Sequence, residues 1–173
     1  METTVKLYTL GYRDIKTYFT ALLFIAGNII LPQLCHLIPQ GGMMLLPIYF
    51  FTLIGAYKYG WKTGLLTAIA SPLLNSILFG MPAPEVLPAI IIKSTLLAIA
   101  AGAAAAYFKR VSIPIIALVV LAYQLAGTLA EWVIVKDIAV AFQDFRIGLP
   151  GMILQIFGGY LFIRYIINPG RKA

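Results

Sequence analysis

Long apolar runs separated by short polar segments make up most of the chain. Six of them approach the roughly 20 residues that an α-helix needs to cross a hydrocarbon core of about 30 Å. The second is short, since about 15 residues rise only about 22 Å, so we expect its neighbours to extend it. The pattern predicts an all-α membrane protein, a compact six-helix bundle forming one domain over residues 1–173. The predicted spans are Tyr18–Ile38, Met43–Tyr57, Thr63–Phe79, Val86–Phe108, Ile113–Val135 and Gly148–Ile167.

The composition agrees with a lipid bilayer as the surroundings of the chain. Hydrophobic residues make up 61% of the sequence and charged residues only 11%, whereas a soluble domain carries about a quarter charged residues. The net charge of +7 is interpreted as a consequence of membrane topology, and nucleic acid is not expected as a partner. The single cysteine, Cys35, excludes a disulfide within the chain.

The distribution of positive charge predicts the orientation. If the chain changes sides after each helix, ten Lys and Arg residues share the face of the two termini, and only Lys136 and Arg146 lie on the other face. By the positive-inside rule, both termini are therefore expected to be cytoplasmic. The ten residues are Lys6, Arg13, Lys16, Lys58, Lys62, Lys109, Arg110, Arg164, Arg171 and Lys172.

Polar side chains inside the predicted helices gather in their outer halves. Lys93 lies in the outer third of the fourth helix, and Glu131 lies near the outer end of the fifth. Gln124 is two turns from Glu131 on the same face of the fifth helix. Asn75 and Gln155 lie in the outer parts of the third and sixth helices. Because polar groups in hydrocarbon normally face a partner or a water-filled cavity, we expect a polar pocket open to the outside and closed below by apolar residues.

Each of these side chains also has an interpretation as packing. Lys93 could pair with Glu131 or Glu85 and hold helices together, and the amides could form interhelical hydrogen bonds. Glu85 follows a rigid proline-containing segment, residues 81–84, that is expected to place it at the mouth of the pocket. His36 is interpreted as a contact of a lid over the pocket, and the alternative is an ordinary interfacial histidine.

Rows of small residues predict where helices approach each other closely. The fourth helix carries such a row at four-residue spacing, and the fifth carries another. We expect them to serve packing within the bundle, with docking to another membrane subunit as the alternative. The two rows are Ser94, Ala98, Gly102 and Ala106, then Ala122, Ala126 and Ala130.

The sequence offers little support for an enzyme. It has no phosphate-binding loop of the type G-x-x-x-x-G-K-[ST], no H-E-x-x-H and no G-x-S-x-G. One histidine and one cysteine are a poor basis for a metal site. We therefore expect no catalytic residues, no metal, no cofactor and no ATPase activity in this chain.

Three short motifs follow one another in the second and third predicted helices: leucine-leucine-proline at Leu45–Pro47, tyrosine-glycine at Tyr59–Gly60, and glycine-leucine-leucine at Gly64–Leu66. This pattern resembles that of a known family, the substrate-binding S components of energy-coupling-factor (ECF) transporters. The resemblance in hydropathy covers the whole chain, and the resemblance in motifs covers residues 41–102.

This resemblance implies a receptor that binds a vitamin or vitamin precursor at its outer face. It implies a membrane coupling subunit and two cytoplasmic ATPase subunits as partners, in the cell (inner) membrane of a prokaryote. Residues 38–43 would form the loop that caps the site. Members of the family often dock through an alanine-x-x-x-alanine pair on the first helix, for which this chain has Thr17 and Ala21.

Two hypotheses follow. In the first, the chain is a high-affinity solute receptor in which Lys93 meets an anionic group of the ligand and Glu131 holds Lys93 or accepts a hydrogen bond. Asn75, Gln124 and Gln155 would then supply hydrogen bonds, and Tyr49 a stacking face. In the second, the chain is a small accessory or structural membrane subunit whose polar residues only hold helices together.

Overall fold

The computed structural model describes residues 6–167. Within that range the chain forms helices and turns without a strand, and six helices are long and apolar enough to cross a membrane. The predicted all-α, six-helix membrane bundle is therefore confirmed, while Arg171 and Lys172 of the predicted charge pattern lie outside the described residues. The helices are α1 Ile15–Cys35, α2 Gly41–Tyr59, α3 Trp61–Phe79, α4 Leu87–Phe108, α5 Ile113–Val135 and α6 Leu149–Ile166.

Helix α2 lies at the centre of the bundle. In its most apolar stretch 67% of the residues are buried, compared with 28% to 44% in the other five helices. It packs against α1, α3, α4 and α6, and Leu53, Ile54 and Tyr57 on it are completely buried. Large apolar side chains such as Phe19 and Leu22 of α1 are instead exposed, as expected of a surface that faces lipid.

Helix α2 is longer than its hydropathy predicts and is interrupted. It begins at Gly41, and at Leu46 the backbone enters the left-handed region with φ of +47°. A 3₁₀ turn at Pro47–Tyr49 follows. Pro47 accounts for the break in the helix, because a proline disfavours the right-handed α conformation at the residue before it. The start of α6 packs against this break, and a β-carbon at Gly151 would lie 2.5 Å from the carbonyl carbon of Leu45.

The first helix ends earlier than predicted. The apolar residues Leu37 and Ile38 belong to the turn after Cys35, not to α1. The chain reverses there so tightly that a β-carbon at Gly41 would collide with the carbonyl oxygen of Cys35. Hydropathy does not register such a turn, because the residues on both sides of it are apolar.

The two rows of small residues face different surroundings. Ser94, Ala98 and Gly102 of α4 are buried, and the backbone of Trp61 passes so close to Gly102 that a β-carbon would lie 2.7 Å from its Cα. Close packing within the bundle is therefore confirmed for these three residues of the row on α4, whereas the fourth, Ala106, is exposed. The row on α5 points outward instead, since Ala122 and Ala126 are exposed.

A long connection, residues 136–148, links α5 to α6, and we call it the α5–α6 loop. It contains two short helices, Ile138–Ala141 and Gln143–Arg146. Asp137 caps the first, because its Oδ1 accepts hydrogen bonds from the backbone N–H groups of residues 139 and 140 at 2.8 and 3.3 Å. The side chain of Gln143 donates a hydrogen bond to the sulfur of Met43 at 3.1 Å. The loop therefore folds back over the start of α2.

The two ends of the bundle differ in chemistry. We call the end with residues 36–40, 80–86 and 136–148 the loop face, and the opposite end the terminal face. On the terminal face the N-terminal segment lies along the end of α2, where the backbone N–H of Tyr8 donates to the carbonyl oxygen of Lys58 at 2.9 Å. The rings of Tyr8 and Tyr59 stack with their centroids 5.7 Å apart. Aromatic and cationic side chains thus mix there, as is typical of a membrane interface.

Candidate ligand-binding site

Lys93 of α4 is buried and forms ion pairs with two carboxylates. Its side-chain nitrogen lies 2.5 Å from Oε2 of Glu131 on α5 and 2.7 Å from Oδ2 of Asp144 in the α5–α6 loop. Only 3% of Lys93 is exposed. A buried ammonium group needs such partners, since an isolated charge in a medium of low dielectric constant is very costly. We call Lys93, Glu131 and Asp144 the Lys93 cluster.

A glycine lets Lys93 cross α5. The aliphatic part of the lysine lies directly over Gly127, where a β-carbon would come within 2.5 Å of Cγ. Gly127 precedes Glu131 by four residues, so both lie on the same face of the helix. Because Gly127 has no side chain, the aliphatic part of Lys93 can lie against α5, and its ammonium group reaches Glu131.

The cluster is buried in the bundle on one side and borders solvent on the other. The side chain of Lys93 is 4% exposed, that of Glu131 is 14% exposed and that of Asp144 is 23% exposed. Exposure thus increases from α4 through α5 to the loop. The cluster is therefore most accessible on the side of the loop face, at Asp144.

Two tyrosines and two glutamines form the inner wall of the site. Tyr49 and Tyr123 are both buried, with ring centroids 5.5 Å apart and ring planes inclined by 50°. The hydroxyl of Tyr123 donates a hydrogen bond to Oε1 of Gln155 at 2.9 Å. Gln124 lies on the same face of α5 as Gly127 and Glu131, and both glutamines are completely buried.

Several polar atoms of this wall are buried without a hydrogen-bond partner in the described part of the chain. They include both amide atoms of Gln124, the nitrogen of Gln155 and the hydroxyl oxygen of Thr128. Leaving such a group unsatisfied costs about 1–3 kcal/mol, and native proteins contain few of them. The wall therefore offers hydrogen-bond donors and acceptors that the fold itself does not use.

A separate polar network connects α1, α2 and α3. The side-chain nitrogen of Asn28 lies 3.1 Å from the hydroxyl oxygen of Thr52 and 3.3 Å from that of Ser71, and its oxygen accepts from the backbone N–H of Phe51. Asn75 donates to the backbone oxygen of Asn28 at 2.9 Å. That oxygen has no helical donor, because the residue four positions later is Pro32. This network fits the packing interpretation of buried amides.

A cavity of about 550 Å³ opens on the loop face beside this network. Its walls are mostly apolar and come from α1, the turn after it, the start of α2 and the segment before α4. Asn75 contributes a buried oxygen with no hydrogen-bond partner among residues 6–167. His36 also borders the cavity and packs against Gly42, where a β-carbon would lie 2.6 Å from its Nε2. Residues 38–43, the predicted cap, all line this cavity.

The predicted site residues therefore separate into two groups. Five of them belong to the Lys93 cluster or to the inner wall beside it, and two line the cavity on the loop face. Glu85 belongs to neither group: it is exposed and forms no ion pair within the described range. Of the two partners considered for Lys93, the structure has Glu131. The group of five is Lys93, Glu131, Gln124, Gln155 and Tyr49, and the group of two is Asn75 and His36.

The correction at Glu85 has a geometric reason. Met81, Pro82 and Val86 line the cavity on the loop face, whereas Glu85 is exposed and is not among its lining residues. Lys93 lies about two turns inside α4, on its buried face. Glu85 precedes the first residue of this helix and therefore lies outside the Lys93 cluster.

Asp144 is the site residue that sequence analysis missed. It lies in the α5–α6 loop, 51 positions from Lys93, and accepts a hydrogen bond from that side chain at 2.7 Å. The available signal was weak. Residues 136–147 form the one long predicted connection, and they hold two of the six acidic residues of the chain.

A second cavity of about 460 Å³ lies on the terminal face and includes none of the predicted site residues. It is bordered by the N-terminal segment, the start of α1 and the end of α2, and Lys16 and Lys58 contribute cationic side chains. Among the described residues no group of three or more His, Cys, Asp or Glu side chains is arranged to hold a metal ion.

The fold and site together define a multi-pass α-helical membrane protein with a buried ionic cluster near one face. Comparison of the chain with protein-family models, with curated proteins and with solved structures gave no match. The function of the protein is therefore inferred from the geometry of the site and from the motif resemblance.

Proposed function

We propose that this protein is a membrane-embedded receptor for a small solute, which binds between the Lys93 cluster and the two buried glutamines. The observation that supports this most directly is Gln124. Its side chain is completely buried, and neither amide atom has a hydrogen-bond partner among residues 6–167. A fold under selection for stability alone would place an apolar residue there, whereas a receptor needs such a group to orient its ligand.

The α5–α6 loop is the proposed cover of this site. Its polar side-chain contacts with the bundle include those from Asp144 to Lys93 and from Gln143 to Met43, and Phe145 packs against the hydrophobic core. Its movement would admit the solute, and its return would restore both contacts. Binding and release would then depend on a segment that carries part of the site.

The motif resemblance leads to a more specific proposal, the S component of an ECF-type importer for a vitamin or vitamin precursor. The chain would work in the cell membrane of a prokaryote with a membrane coupling subunit and two cytoplasmic ATPases. Thr17 and Ala21, at the spacing of the docking pair, are buried in the bundle. A coupling subunit would therefore contact other residues, and the exposed Ala122 and Ala126 of α5 are one available surface.

The decisive experiment is to identify what the protein carries. The full-length protein is purified in mild detergent from cells grown in rich medium and denatured, and the released compounds are identified by mass spectrometry. A compound present at about one per protein establishes a receptor. Absence of any compound, together with no thermal shift across a panel of vitamins, rejects the proposal.

A second candidate function is that of an accessory subunit without a ligand. The observation in its favour is the Asn28 network, in which buried amides already hold three helices together. The same role does not extend to Gln124, which holds nothing within the described structure. Co-purification of a stable membrane partner with a ligand-free chain would support this alternative.

A further inference from the structure

The Lys93 cluster has an unbalanced charge. One ammonium group lies between two carboxylates, so the three groups carry a formal charge of −1 when all are ionised. Among the described residues no second Lys or Arg side chain forms an ion pair with Glu131 or Asp144, so no further cation in residues 6–167 neutralises the cluster. Charge inside a membrane protein is costly unless it is compensated. The cluster thus favours the approach of one positive charge.

The ligand charge expected from the sequence is therefore reversed. Lys93 suggested an anionic ligand group when it was considered alone, but both of its carboxylate partners are already in place at 2.5 and 2.7 Å. An anion would have to displace one of them or add a third negative charge to the same region. A cation would instead bring the cluster to neutrality.

The remaining wall of the site also suits a cation. The faces of aromatic rings attract positive charge, and the rings of Tyr49 and Tyr123 lie side by side with centroids 5.5 Å apart. Gln124 is on the same face of α5 as Gly127, over which Lys93 passes, and its amide is free to bond to the ligand. Gln155 offers a further unpartnered nitrogen. These groups can orient the neutral part of a molecule whose charged end meets the carboxylates.

We propose that the ligand of this site is a small organic cation, bound by Glu131 and Asp144 through its positive group and by Gln124 and Gln155 through its other polar atoms. This inference rests on the proposed receptor function and specifies its substrate class. Asp144 then has two tasks. It supplies part of the charge, and it connects the α5–α6 loop to the ligand.

The test compares two variants in the same loop. Asp144→Asn removes one charge from the cluster and leaves Lys93 paired with Glu131. Asp137→Asn removes the same charge from an exposed helix cap, where asparagine caps equally well. Each full-length protein is purified alongside wild type, the released compound is quantified by mass spectrometry, and its charge at pH 7 is taken from its identity.

The expected result is a cationic compound in the wild type. Its occupancy falls about tenfold or more in Asp144→Asn, because one attractive charge at contact distance is lost, and is unchanged in Asp137→Asn. Thermal unfolding of the ligand-free proteins checks that both variants fold. A neutral or anionic compound, or equal occupancy in the two variants, overturns the inference and leaves the receptor function standing. An absence of any bound compound in the wild type, together with no thermal shift across a panel of vitamins, overturns both.

Discussion

At the scale of single residues, a binding role and a packing role for Gln124 have opposite consequences. If its amide serves only the ligand, replacing it with leucine removes an unsatisfied buried group. We expect Gln124→Leu to raise the stability of the ligand-free protein by about 1–3 kcal/mol and to abolish ligand occupancy. Thermal unfolding in detergent and mass spectrometry of the released compound measure the two effects. A lower melting temperature would show instead that the amide stabilises the fold.

Gly127 permits a second test of the site. The added β-carbon of Gly127→Ala would lie 2.5 Å from Cγ of Lys93, so the lysine has to shift away from Glu131. We expect the free energy of unfolding to fall by about 1–3 kcal/mol, which is typical of overpacking, with a loss of ligand occupancy. Gly158→Ala on α6 is the matched control, since the nearest atom there is at 3.1 Å in the ring of Phe50. Equal effects of both substitutions would rule out a special role for Gly127.

At the scale of helices, the Asn28 network predicts a result opposite to that at Gln124. Asn28→Leu deletes the bonds from α1 to Thr52 and Ser71 and leaves the backbone N–H of Phe51 without its acceptor. We expect a loss of about 1–3 kcal/mol from the buried unpaired groups, measured by thermal unfolding. Ligand occupancy at the Lys93 cluster should persist in the folded fraction. Stabilisation by this substitution would contradict the assigned packing role.

The helices also show which features of the fold can be predicted from hydropathy and which cannot. The lengths and apolar character of the six spans follow from the sequence, because a bilayer demands both. Hydropathy also gives depth, which is why Lys93 and Glu131 could be matched as partners. It does not give the direction in which a helix face points. Asn75 was therefore grouped with Lys93 although it serves the α1 to α3 network, and Asp144 was missed because its loop has no helical period that indicates its position.

At the scale of the whole molecule, the charge pattern decides whether the site can receive a solute from outside. In the described chain the loop face carries Lys136 and Arg146, and the other basic residues outside the Lys93 cluster belong to the terminal face. By the positive-inside rule we expect the loop face to lie on the side of the membrane away from the cytoplasm. The Lys93 cluster, which lies near that face, would be reached from the external medium. An import receptor requires this orientation.

Cysteine labelling in intact cells tests the orientation. Cys35→Ala gives a background without cysteine, since Cys35 is the single one in the sequence. Glu85→Cys places a thiol on the exposed loop face, and Arg13→Cys places one on the exposed terminal face. We expect a membrane-impermeant maleimide to label residue 85 in intact cells and residue 13 only after the cells are made permeable. The reverse pattern would put the Lys93 cluster on the cytoplasmic side, where a receptor for external solutes cannot work, and would reject the proposed direction of uptake.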